Sequence, residues 1–75
     1  MSWEVKKCRD DGTTLHPRFI SSWRFDSLQG AQDFVLKQTG ACAQDLSGDG
    51  GHWMLIVPTR GSELDQVHWG IYSVG

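Results

Sequence analysis

The chain has 75 residues, a net charge of −2 with neutral histidines and 39% hydrophobic residues, among them four Trp, three Phe and one Tyr. That length excludes a two-domain enzyme, a dinucleotide-binding unit with a substrate domain and any barrel of eight or more strands, and the ordinary composition excludes a disordered tail. A chain so short buries only about 60% of the surface its unfolded form exposes, so its aromatic rings must supply much of the burial.

In chain order, Ser2 to Arg9 alternates as a strand, with Trp3, Val5 and Lys7 on one face and Glu4, Lys6 and Cys8 on the other. Asp10-Asp11-Gly12-Thr13 follows, and an Asp-Gly pair between strand-like runs signals a hairpin. The second run, Thr14 to Phe25, contains Pro17, which makes it an edge strand or delays its start to Arg18. Phe19, Ser21, Trp23 and Phe25 then alternate with Ile20, Ser22 and Arg24. A helix follows, with Asp26 or Ser27 as cap and Gln29 at capping-box distance from Asp26. Leu28, Ala31, Phe34 and Val35 form its apolar stripe, Asp33 and Lys37 an i,i+4 pair, and Gly40 its left-handed terminus. Gly30 within the helix points to close packing on the sheet.

Ala41 to Gly51 reads as a loop. His52 to Val57 is a short apolar strand, central in the sheet and closed by Pro58. Thr59 to Asp65 is a polar connection, and Gln66 to Val74 is the last strand, with Val67, Trp69 and Ile71 opposite His68, Gly70 and Tyr72. The expectation is a single α+β domain over residues 1–75. Its order is β-β-α-β-β, in a mostly antiparallel four-stranded sheet with the helix packed on one face.

No stretch behind Met1-Ser2-Trp3-Glu4 has the character of a leader, and the run Trp53 to Val57 is far shorter than the roughly 20 residues a spanning helix needs. Two cysteines, Cys8 and Cys42, are too few for a disulfide scaffold. A cytoplasmic protein with reduced thiols and no membrane partner is expected.

Motifs for chemistry are weak. Asp45-Leu46-Ser47-Gly48-Asp49-Gly50 imitates the start of a calcium loop, but Ile56 stands where the bidentate Glu is required. Cys8, His16, Cys42, His52 and His68 lack the short spacings that pre-organise zinc. Cys42 with His52 or His68 and a nearby Asp is the only plausible set for nucleophilic catalysis, and Cys42 follows a helix C-terminus, whose dipole disfavours a thiolate. No metal, cofactor or enzymatic activity is therefore expected.

Charge is uneven: residues 1–25 sum to +2 and residues 26–75 to −4. Lys6, Lys7, Arg9, Arg18 and Arg24 flank Trp3, Phe19, Trp23 and Phe25, a combination used to hold phosphates and stack bases. The overall pI of about 5.8 argues against a dedicated nucleic-acid domain. One helix covers one face of a sheet, and eight aromatic rings exceed what one small core hides. The reading is a small non-enzymatic protein-interaction module whose open sheet face or edge takes a protein partner or a second copy as a homodimer. Arg18, Trp23, Arg24, His68 and Tyr72 are its candidate partner-binding residues. The alternative is a nucleic-acid-binding module using the basic aromatic first hairpin.

Overall fold

The computed structural model describes residues 2–10, 18–58 and 66–74. Along the chain come β1 (Ser2–Asp10), β2 (Arg18–Phe25), α1 (Leu28–Thr39), a 3₁₀ turn (Ala43–Asp45), β3 (Ser47–Asp49), β4 (His52–Pro58) and β5 (Gln66–Val74). The strands form one antiparallel sheet in the order β2-β1-β5-β4-β3, so the last strand in sequence is the central one. The expected α+β class, single helix and antiparallel pairing stand. The strand count is corrected from four to five.

The fifth strand lies in the segment read as a loop. Its first half is that 3₁₀ turn, in which the backbone N–H of Cys42 donates to the Asp45 carboxylate at 2.9 Å. Asp45 thus ties a turn rather than opening a calcium loop. Ser47–Asp49 then pairs with Met54–His52 as a hairpin across the two-residue loop Gly50-Gly51. Gly50 has φ 54°, the positive value a type II′ loop requires at its first position. Gly48 has φ 145°, and a Cβ there would fall 2.2 Å from the His52 carbonyl oxygen, so the strands approach as only glycine permits. The Gly-Gly pair was the available hairpin signal.

Ser27, not Asp26, caps the helix: its hydroxyl accepts from the Gly30 N–H at 3.1 Å. Gln29 turns away from the cap and donates to Asp33 at 2.8 Å, and no ion pair joins Asp33 to Lys37. Gly40 ends the helix with φ 72° and its N–H on the Leu36 carbonyl at 2.8 Å. At Gly30 a Cβ would meet Ser27 Oγ at 3.2 Å and the Phe25 ring at 3.8 Å, so the cap and the end of β2 crowd this position.

Helix α1 packs on β1, β2 and β5. Ala31 and Val35 are buried against Val5, Leu46, Leu55, Trp69 and Ile71, with Leu28 and Phe34 beside them, as the stripe predicts. The alternation read in β1 and β5 places Val5, Trp69 and Ile71 on this covered face, and the register adds Leu55 of β4 beside Trp69. Six of the eight rings join it: Trp69 is buried, and Trp3, Trp23, Phe25, Phe34 and Trp53 pack against the core. Trp23 stacks on Trp69 with centroids 5.8 Å apart and meets Phe34 at 4.9 Å. The surplus of rings is therefore smaller than expected, and consists of Phe19 and Tyr72.

β2 is an edge strand beginning at Arg18, which satisfies both readings of Pro17; the Asp11-Gly12 turn and Pro17 itself lie outside the described residues. Its register against β1 shifts once: Lys7 pairs with Ser21 but Cys8 with Phe19, leaving Ile20 as the extra residue of a β-bulge. The expected run of Phe19 with Ser21, Trp23 and Phe25 on one face is corrected accordingly. Beyond the bulge Phe19 shares the face of Cys8, away from the helix.

Candidate functional site

The face opposite α1 carries no helix. Directly opposed residues of an antiparallel sheet share a face and lie about 4.5–5.5 Å apart, so the register gives its rows. One row runs Arg24, Glu4, Tyr72, His52, Asp49 across all five strands. The next runs Ser22, Lys6, Gly70, Met54, Ser47. The third runs Phe19, Cys8, His68, Ile56, with Ile20 bulged beside Phe19.

The first row is polar and aromatic. Glu4 lies between two cations, with Lys6 Nζ at 3.6 Å and Arg24 Nε at 3.8 Å. These partly exposed pairs orient side chains more than they stabilise. The Tyr72 ring stacks on His52 with centroids 4.6 Å apart and planes at 17°, and Lys6 Nζ stands 5.5 Å from its centroid. Tyr72 lies flat because the neighbouring position has no side chain: a Cβ on Gly70 would come 2.5 Å from the Tyr72 hydroxyl.

The third row is apolar. Phe19, Ile20 and Ile56 are the exposed large hydrophobic residues of the described chain, at 59%, 46% and 46% exposure; Phe19 and Ile56 stand at the two ends of this row, with Ile20 in the bulge beside Phe19. Between them Cys8 and His68 are cross-strand neighbours, and His68 Nε2 donates to the Gln66 side-chain carbonyl at 3.2 Å. The thiol beside His68 is thus Cys8, whereas the sequence pairs that histidine with Cys42, which is exposed in the connection after α1. No hydrogen bond joins Cys8 to His68 among the described residues.

The five sequence candidates divide between the faces. Arg24, His68 and Tyr72 stand on the open face. Trp23 is packed into the aromatic cluster beneath α1, and Arg18 pairs with Arg9 at the exposed end of the helix side. Sequence reasoning missed Ile56, whose parity with His52 and Met54 was the available signal, and Phe19 and Ile20, whose placement depends on the bulge. Among the described residues no three His, Cys, Asp or Glu side chains are grouped to hold a metal, and His16 lies outside them. No helix there is long and apolar enough to cross a membrane. Compared with protein-family models, curated protein sequences and solved structures, the chain matches none.

Proposed function

We propose that this chain is a small, non-enzymatic, cytoplasmic interaction module that docks a protein on the open face of its sheet, without cofactor or metal. The observation that carries this reading is the third row, whose two ends hold the exposed large apolar side chains of the described residues, Phe19 and Ile20 on β2 and Ile56 on β4, with Cys8 and His68 between them. Scattered apolar residues are ordinary on a surface, but exposed apolar side chains sharing one row of an open sheet face favour a contact site. His68 lies within the row, and Tyr72 and Arg24 stand on the same face two rows away, the residue types that interface centres favour.

Nucleic-acid binding is the second reading. It draws on Lys6 and Arg24 beside the Tyr72–His52 stack. The first hairpin contributes less than the sequence suggested, since Trp3, Trp23 and Phe25 pack against the core.

The test immobilises a tagged chain and offers it both untagged chain and cell extract. Protein retained by the wild type and lost with Ile56→Asp, both baits folded by circular dichroism, supports docking on this face. An identical retained set places docking elsewhere. Retention of single-stranded oligonucleotide that falls steeply with salt and is lost with Arg24→Ala establishes the second reading instead.

A further inference from the structure

Resting on the open-face reading, we infer that the occupant of this face is a second copy of the chain, packed sheet to sheet about an axis along β5. Three observations converge on self-association.

The first is charge. Arg24 and Asp49 stand at opposite ends of one row, on the two edge strands, with Glu4 and His52 symmetrically inside them and β5 in the middle. A two-fold axis between two such faces and along β5 carries β2 of one copy over β3 of the other. Arg24 then opposes the partner's Asp49, and Glu4 opposes the partner's His52. The same rotation lays the apolar row on itself, Ile56 over the partner's Cys8. β3 has three residues and stops short of this row, leaving the flank of Ile56 uncovered where the partner's Phe19 and Ile20 arrive. The face is self-complementary in charge where Arg24 meets Asp49 and in shape along the apolar row, Lys6 meets the partner's Met54, and the mixed signs suit neither a polyanion nor an anionic surface.

The second is area. A strand residue covers about 16 Å² of sheet, from spacings of about 4.8 and 3.3 Å. The five strands thus present on the order of 600 Å², and a symmetric pair buries on the order of 1,200 Å², the lower bound of specific, stable interfaces. The third is need. The core of the described chain is seven buried apolar residues, and domains of this size commonly draw stability from oligomerisation. The edges are poor alternatives: β3 is short, and β2 is bulged at Ile20 and carries Arg18 and Arg24.

The two cysteines make the test direct. Cys8 lies within the row and Cys42 lies off it, exposed, so Cys42 is an internal control for thiol labelling. Purified wild type is expected to sediment at twice the 8.4 kDa chain mass in the upper part of a series from about 1 to 500 μM. Maleimide labelling of Cys8 should slow as the dimer fills, while labelling of Cys42 stays constant. Ile56→Asp should weaken dimerisation at least about tenfold and restore Cys8 labelling. Phe19→Ser, on an edge strand, serves if the first variant does not fold. A dimer indifferent to both substitutions, or one that leaves Cys8 labelling unchanged, overturns the inference. So does a monomer throughout the series; if that monomer still retains another protein in an Ile56-dependent way, the open-face reading survives and only the occupant is wrong. If it retains none, both fall.

Discussion

Gly70 stands in the central strand beneath the ring of Tyr72, and the two residues are readable only together. A methyl group at Gly70 would meet ring atoms at 2.5–2.8 Å, so Gly70→Ala must lift the ring from its place beside His52. A cost of up to about 1 kcal/mol is expected, below that of an overpacked core, because the obstacle is the far end of a partly exposed side chain that can swing aside. In a Tyr72→Ala background the same change should stabilise by about 0.5–1 kcal/mol, since alanine is otherwise the better strand residue. Denaturant unfolding of the four proteins of this cycle measures the sign reversal, and equal costs in both backgrounds would refute the coupling. Gly48 fails differently, because its obstacle is the His52 backbone and its φ is 145°. Gly48→Ala should release β3 alone. Amide exchange is expected to quicken at Met54, which pairs with β3, and to hold at Ile71, in the central strand.

At the scale of elements, what was legible followed from period and capping. The 2-residue alternation of β1 and β5 and the apolar stripe of α1 sorted Val5, Ala31, Val35, Trp69 and Ile71 onto the covered face. Ser27→Ala should cost about 1 kcal/mol, because the Gly30 N–H loses its acceptor. For a domain of this size that lowers the thermal midpoint by roughly 4–8 °C. Asp26→Ala should leave it within about 2 °C, since Asp26 is exposed and not the cap. What stayed illegible has local causes. β3 is three polar and glycine residues whose strand character comes from β4 beside it, not from any pattern of its own. The bulge at Ile20 adds one residue to an alternation that otherwise predicts the wrong face for Phe19. The site suffered more than the fold, because its apolar row depends on that one residue.

The whole molecule is a single helix layer on a single sheet layer, with a shortest principal extent of 19 Å. All four tryptophans lie on the covered face, so the exposed side of the sheet is aromatic only through Tyr72 and Phe19. Association through that side links stability to concentration. The thermal midpoint of the wild type should rise with protein concentration over two decades, and that of Ile56→Asp should begin to rise only at concentrations at least about tenfold higher. A midpoint independent of concentration in both would show that the chain draws no stability from a second copy. Acrylamide quenching of tryptophan should be the same for monomer and dimer, because association covers the side without indole rings.

The single unpaired residue in the β1–β2 ladder also bears on how this surface can change over generations. Losing Ile20 would make the ladder regular with Phe19 still opposite Cys8 and Arg18 still opposite Arg9, so every remaining residue of β2 would keep its face. The contact surface thus tolerates a one-residue shortening at this point, which trims a single exposed apolar side chain and leaves the rest of the surface in place.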